Sequence, residues 1–162
     1  MSQSGSFNHS VVPVGPVINT HQPGFSAYLS VSVPNVTGDA TFYDIICDTV
    51  LFDQTSNYNN TTGIFTAPNT GKYLFVVGAF LDNMTTQSSM EVKLVTTQNS
   101  FSTKNGFQIG NGGEGIYGSF FVPMTAGDTA FIRTESAAGA KTNNLVGGNA
   151  PIFTFFQGAL LF

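Results

Sequence analysis

The residues that could carry out catalysis are few and widely separated in this chain of 162 residues. Its two histidines, His9 and His21, have no cysteine or carboxylate beside them, so neither a metal set nor a general base is indicated. No serine lies in a Gly-x-Ser-x-Gly elbow. Cys47 has no neighbouring histidine or basic residue to stabilise a thiolate, and we interpret it as a buried apolar side chain. We therefore predict that the protein is not an enzyme.

The carboxylates are the better candidates for chemistry, because calcium takes oxygen ligands from several loops. Four of them fall at close spacing, but no Asp-x-Asp-x-Asp pattern occurs, and turn or capping roles are the default interpretation: Asp39, Asp44, Asp48 and Asp53. The glycine-rich stretch from Gly110 to Gly115 lacks the lysine and the strand-to-helix context of a phosphate loop. We interpret it as a surface loop.

The composition excludes several classes of partner. Charged residues make up 9% of the chain, the net charge is −4, and the five basic residues are scattered, so we expect no nucleic-acid binding. No apolar run reaches the roughly 18 residues of a membrane span, and no signal peptide is visible at the N-terminus. Apolar residues amount to 41%, which is typical of a folded domain, and a single cysteine excludes an internal disulfide.

The first 23 residues differ from the rest. Pro13, Pro16 and Pro23 interrupt a run of aliphatic residues, which favours an extended arm or linker without a core of its own. Two interpretations are open: a flexible leader, or an arm that ties the protein to a neighbour or a larger assembly. We place the folded domain at residues 24–162.

From Gly24 onward the sequence predicts an all-β domain, because no segment has helical periodicity and turn signals recur at short intervals. The number of strands favours a two-sheet antiparallel jelly-roll sandwich. The predicted strands are Phe25–Val33, Thr41–Ile46, Thr49–Phe52, Ile64–Thr66, Lys72–Leu81, Met90–Thr97, Ile116–Pro123, Thr129–Thr134 and Ile152–Phe162.

Two of these strands, Lys72–Leu81 and Ile152–Phe162, are apolar on both faces. A single sandwich core covers only one face, so the other requires a partner. Self-association is the favoured interpretation, and packing under the arm or a long loop is the alternative. The residues predicted for this interface are Leu74, Val76, Phe80, Ile152, Phe156, Leu160 and Phe162.

The motif Tyr58-Asn-Asn-Thr-Thr-Gly-Ile-Phe-Thr-Ala-Pro-Asn-Thr-Gly-Lys-Tyr-Leu-Phe75 and the ending Phe156-Gln-Gly-Ala-Leu-Leu-Phe162 resemble the globular head domain of the C1q and tumour necrosis factor superfamily. The resemblance spans roughly Phe25 to Phe162. It implies a homotrimeric jelly roll. It also implies a calcium site near the apex, for which Asn111 and Glu114 are the candidates; no other cofactor is expected.

The resemblance implies a non-enzymatic, homotrimeric structural or binding module. The details Asn35–Asp39 and Phe65–Leu74 look most like versions in bacterial and phage proteins, which points to a virion protein, either a fibre tip or a capsid decoration. A secreted or surface-bound lectin-type recognition protein of a cellular organism is the alternative. Candidate residues for binding a cell-surface glycan or protein lie in the predicted loops: Asn83, Thr85, Asn99, Asn105, Asn111, Glu114, Asn143 and Asn144.

Overall fold

The computed structural model describes residues 22–86, 89–106, 112–137 and 139–162. The predicted arm therefore lies almost entirely outside the described residues, and its boundary at residue 23 stays a prediction. Every regular element within the described ranges is a β-strand. The strands are β1 Gly24–Tyr28, β2 Val33–Thr37, β3 Tyr43–Ile45, β4 Thr49–Asp53, β5 Tyr58–Asn59, β6 Ile64–Thr66, β7 Gly71–Met84, β8 Ser89–Thr96, β9 Ser100–Gly106, β10 Gly112–Met124, β11 Thr129–Ala137, β12 Asn143–Leu145 and β13 Phe155–Leu160.

The strands form two antiparallel sheets packed face to face. The large sheet has seven strands in the order β2-β12-β7-β13-β1-β4, with β10 paired to the other side of β7. The small sheet has six, in the order β5-β6-β11-β8-β9, with β3 paired to β11. This arrangement confirms the predicted all-β antiparallel sandwich.

Strand β7 organises the large sheet. Successive side chains of a strand point to opposite faces, and the odd-numbered residues from Tyr73 to Leu81 are fully buried between the sheets. Leu74, Val76 and Phe80 alternate with them on the outer face and are only half-buried. Strand β10 pairs with β7 along nearly its whole length, while β13 and β12 share its other side.

The core between the sheets is rich in aromatic rings. Phe25 stacks on Tyr58 at 4.8 Å and on Phe65 at 4.9 Å, and meets Phe156 edge-on at 4.9 Å. The Tyr58 hydroxyl donates a hydrogen bond of 3.0 Å to the backbone carbonyl of Cys47. Cys47 is buried, as predicted, and burial raises the pKa of its thiol to about 12. An unreactive structural cysteine follows from this environment.

The prediction of one strand from Phe25 to Val33 was wrong, because β1 ends at Tyr28 and a separate strand, β2, begins at Val33. The stretch between them leaves the sheet. There the backbone N–H and hydroxyl of Ser30 donate to the Asp48 carboxylate at 2.8 and 2.6 Å. Val31 is consequently 69% exposed rather than buried on the alternating face.

The interpretation of Gly110–Gly115 as a surface loop was also wrong in part, because β10 begins at Gly112, and Asn105, predicted to lie in a loop, is on β9. Strand β9 has a polar sequence and lies at the edge of the small sheet, where little burial is required of it. The final strand is shorter than predicted and runs from Phe155 to Leu160. Strand β12 contains Asn143 and Asn144, which were predicted to lie in a loop.

The sandwich has two distinct ends. At the base end, the chain enters β1 and finishes beside the start of β7: Pro23 accepts a hydrogen bond of 2.9 Å from the Leu160 N–H, and Phe162 accepts one of 2.8 Å from the Lys72 N–H. The apical end is the opposite one, where β7 ends at Met84 and β8 begins at Ser89.

Candidate association surface and apical loops

The outer face of the large sheet carries side chains in rows that cross the strands. Residues paired in antiparallel register point to the same face, so the pairings of β4, β1, β13, β7 and β10 define which side chains share a row. From the base upward the rows are Gly24–Ala159–Leu74–Phe121, then Phe52–Ser26–Gln157–Val76–Ser119, then Thr49–Tyr28–Phe155–Gly78–Tyr117. We call these rows, with Phe80 above them, the association surface.

The association surface is mainly apolar and contains no charged residue, its polar members being Ser26, Thr49, Ser119 and Gln157. Phe121 is 68% exposed, Tyr117 52% and Phe52 51%. At its centre, the Gln157 side-chain amide donates a hydrogen bond of 3.1 Å to the Ser26 hydroxyl. An uncharged surface with large exposed rings is the kind that monomeric proteins rarely leave in water.

A cavity of ≈ 230 Å³ opens on the association surface between β4, β1, β13 and β7. Its walls are mainly apolar and include Phe52, Leu74, Val76 and Ala159. We call it the sheet cavity. Further toward the apex, the rings of Phe80 and Phe153 pack at 5.0 Å.

Two residues predicted for the interface face the wrong way. Phe156 is fully buried, pairs with Val77 and belongs to the aromatic core. Leu160 pairs with Tyr73 and also packs against the core. The outer positions of β13 belong instead to Phe155, Gln157 and Ala159. Gln157 is the one polar side chain of β13, and it marks the outer face on which Phe155 and Ala159 also lie.

The other predicted interface residues have varied positions. Leu74, Val76 and Phe80 lie on the outer face, as their alternation in β7 predicted. Ile152 is half-buried and precedes β13. Phe162 is 75% exposed at the base end, with the Lys72 ammonium 4.9 Å from its ring centroid. Participation of these residues in an interface stays a prediction.

Most residues predicted for the ligand loops lie at the apical end. Asn83, Thr85 and Asn144 line a depression of ≈ 680 Å³ together with Asp82. The Asn144 side-chain amide donates to the Asp82 carboxylate at 2.8 Å. Asn105, at the end of β9, pairs with Met90 and so lies at the same end.

Asn143 is a structural residue of the apical end. It is fully buried, its side-chain amide donates to the Asn83 carbonyl at 3.0 Å, and its side-chain oxygen accepts from the Ser136 hydroxyl at 2.5 Å. The prediction that Asn99 belongs to the apical loops was wrong. Its carbonyl accepts from Thr96 in the turn between β8 and β9, at the base end.

The calcium candidates do not form a site in the part of the chain that the structure describes. Asn111 lies outside the described residues, and Glu114 is half-buried on β10 opposite Leu81. No group of three His, Cys, Asp or Glu residues suited to a metal ion occurs among the described residues. Calcium binding stays a prediction. The described residues also include no helix of the length and apolarity needed to span a membrane.

The family of the chain follows from comparison with known proteins. The family model described as "C1q domain" matches residues 25–161, which is nearly the entire folded part. The chain belongs to the C1q domain family. No curated protein sequence matches the chain.

Solved structures share the fold of this C1q domain. The globular domain of zebrafish complement 1qA has a TM-score of 0.58 and 21% identity, covering 86% of this chain and 98% of that one. Murine APRIL at pH 5.0 has a TM-score of 0.62 and 12% identity, covering 86% and 99%. Eiger TNF from S. frugiperda has a TM-score of 0.61 and 16% identity, covering 87% and 92%. At these identities the likeness shows the fold.

Analysis of the sequence missed five aromatic residues of the association surface: Tyr28, Phe52, Tyr117, Phe121 and Phe155. A signal for two of them was available. The segment Ile116–Val122 of this C1q domain is apolar on both faces around Gly118 and Ser119, as β7 is. The same reasoning that identified β7 would have found Tyr117 and Phe121.

The outer face of the small sheet has the opposite character. Three of the five basic residues of the chain gather there with buried carboxylates. Lys104 lies 3.8 Å from Glu91 and 3.7 Å from Glu135, and Arg133 lies 2.6 Å from Asp44. The association surface, which is uncharged and mainly apolar between Lys72 and Asp82 of β7, therefore differs in chemistry from the charge-paired outer face of the small sheet.

Proposed function

We propose that this protein is a non-enzymatic, homotrimeric display module. The observation that supports the proposal most directly is the association surface, which spans five strands without a charged side chain. Members of the C1q domain family are typically trimeric binding modules and typically secreted or extracellular.

The energetics of the exposed rings favour self-association. Full burial of an exposed phenylalanine contributes roughly 1.5–3 kcal/mol, and Phe121, Phe52 and Tyr117, which are about half to two-thirds exposed, forgo the corresponding part of it. Copies related by cyclic symmetry would cover these rings while leaving the charge-paired outer face of the small sheet toward solvent.

The apical end would be the recognition surface. Its depression combines the Asp82 carboxylate with the amides of Asn83 and Asn144. Such groups donate and accept hydrogen bonds without strong net charge, which suits a glycan or a protein of a cell surface. Three copies on one axis would bind an array of such ligands with high avidity.

We place the module on a virion, as the tip of a phage fibre or as a capsid decoration, with residues 1–23 joining it to the larger assembly. The supporting observations are the segments Asn35–Asp39 and Phe65–Leu74, which look most like bacterial and phage versions, and the charged fraction of only 9%. A secreted recognition protein of a cellular organism is the alternative.

Light scattering on the purified full chain tests the assembly. The expected mass is about three times the chain mass of 17.2 kDa. Phe121→Asp should yield monomers, because it would bury an unpaired carboxylate in an apolar contact. Phe131→Asp, on the outer face of the small sheet, is the matched control and should remain trimeric. A wild-type monomer at high concentration would refute the proposal.

The location is tested separately, with an antibody against the folded domain. Gold labelling of purified particles from the producing culture should decorate fibre tips or the capsid surface. Protein found only in particle-free medium would contradict the virion and support the secreted alternative.

A further inference from the structure

We propose that the sheet cavity receives the Phe121 side chain of a second copy of this chain, so that the cavity is filled only in the assembly. The inference rests on the proposed function, because it specifies how the copies meet. In this contact, one copy provides the Phe121 side chain and its neighbour provides the sheet cavity.

The size and chemistry of the sheet cavity suit a phenyl ring. Its volume is ≈ 230 Å³, and an apolar protein cavity of about 150 Å³ is large enough to hold benzene. Phe52, Leu74, Val76 and Ala159 provide apolar walls. Ser26 and Gln157 are the polar residues of the lining, and they bond to each other, since the Gln157 side-chain amide donates to the Ser26 hydroxyl at 3.1 Å.

Phe121 is the best placed of the exposed aromatic residues to fill it. It lies on β10 and is 68% exposed. Of the other exposed rings, Phe52 already belongs to the cavity wall and Tyr117 packs against Phe155 at 6.1 Å. Phe121 and Phe162 border a second hollow at the base end with Lys72, and only Phe121 of these two lies on the association surface. Phe121 also shares its row with Ala159 and Leu74, two residues of the cavity wall.

The contact must be made between copies. On one chain, β7 separates Phe121 from Ala159, and two strand spacings amount to about 9.5 Å. Phe121 lies on β10, whereas the cavity extends from β7 to β4 in the other direction. Two different patches of one chain can close into a ring by rotation. A rotation about an axis parallel to the strands leaves each residue at the same level along that axis. Phe121 and Ala159 lie in one row, at the same level, so such a rotation can bring Phe121 of one copy beside Ala159 of the next.

A disulfide between copies tests the contact directly. The double variant Phe121→Cys/Ala159→Cys cannot close within one chain, because a disulfide requires Cα atoms closer than about 7 Å. Mild oxidation should produce a covalent ring of three chains on a denaturing, non-reducing gel. Each single-cysteine variant is a control and should stay monomeric on that gel, since Cys47 is buried. Covalent dimers of a single variant would overturn the proposed contact.

Filling the cavity tests the same contact without oxidation. Ala159→Trp should raise the concentration for half-dissociation by at least about tenfold. Phe121→Ala in the same chain should recover part of the loss, since the indole then replaces the missing ring. Ala126→Trp, in an exposed base turn, is the matched control and should have no effect.

The outcomes separate this inference from the proposed function. If wild type is a trimer but the double-cysteine variant forms no covalent ring, the Phe121 contact is overturned and the trimer is not. The same holds if Ala159→Trp does not weaken the trimer. That result would also be expected if the arm or another ligand fills the cavity. A wild-type monomer would remove both proposals.

Discussion

The aromatic rings of Phe155 and Tyr117 lie 6.1 Å apart at an angle of 23°, on either side of Gly78. Gly78 pairs with both residues, through β13 on one side and β10 on the other. A Cβ atom on Gly78 would lie 2.5 Å from Phe155 Cε1 and 2.8 Å from Tyr117 Cδ1. The absence of a side chain is therefore what allows the two rings to lie over the middle of the association surface.

We predict that Gly78→Ala weakens self-association without unfolding the domain. The new methyl group would displace both rings, and because they lie on the outer face they can move without disturbing the core. Sedimentation velocity should show more monomer at equal concentration, by several-fold. Ser102→Ala is the control, because Ser102 is exposed and pairs with Lys93 in the small sheet, away from the association surface. Equal dissociation of the two variants would contradict this role for Gly78.

We predict that Phe156→Ala lowers the free energy of unfolding by about 3–5 kcal/mol, since it leaves a cavity among packed rings. Urea unfolding monitored by circular dichroism measures the change. Phe121→Ala is the matched comparison, and in dilute, dissociated protein it should alter the midpoint little. A small effect of Phe156→Ala on folding would place this ring outside the core, contrary to the structure.

Glu135 should make stability fall as the pH rises. Burial is the main cause that raises the pKa of Glu135, a hydrogen bond with Glu91 adds to it, and Lys104 partly opposes it. At a pH between the pKa of Glu135 in the unfolded chain and its higher pKa in the folded protein, the folded state binds more protons than the unfolded chain. The stability that this gives is fully present below the unfolded-chain pKa and is lost as the pH rises through the folded-state pKa.

Glu135→Gln mimics the protonated form and should remove this dependence. The unfolding free energy of the variant minus that of wild type should increase from about pH 4 to about pH 7. Chemical unfolding at each pH measures it, and taking the difference cancels groups common to both proteins. A difference that is constant over this range, or that decreases, would contradict the assignment.

Asp48 should make stability fall as the pH falls, the opposite of the effect of Glu135. Burial acts to raise the pKa of Asp48, but the hydrogen bonds from the Ser30 hydroxyl and N–H outweigh it and lower the pKa below the ordinary value. A depressed pKa contributes stability above the unfolded value, and that stability is lost as the pH falls. Asp48→Asn should therefore destabilise the domain more at about pH 7 than at about pH 2. Thermal unfolding at the two pH values measures the effect, and an equal cost at both would exclude it.

The sequence predicted the class of fold and most strands from local chemistry. Strand Ile64–Thr66 lies where Thr62-Gly63 and Ala67-Pro68 bounded it, and the turn at Ala126-Gly127-Asp128 closes with a hydrogen bond of 2.9 Å from the Asp128 N–H to Thr125. Turns and alternation act over a few residues, so one sequence contains enough information to predict them. Strand β9 escaped because a polar edge strand resembles a loop.

The orientation of β13 was missed, and a single polar residue, Gln157, was the local signal for it. Phe155 and Phe156 are adjacent and chemically identical, yet one lies on the association surface and the other in the core. Gln157 shares a face with Phe155 and Ala159 and marks it as the outer face, whereas a shift of one residue in the pairing would exchange the two faces. The register with β7 makes the choice, by placing Phe156 beside Val77 and Phe155 beside Gly78. Local sequence therefore sets how much apolar surface the strand carries, whereas pairing between distant strands sets which part of it is left for another copy.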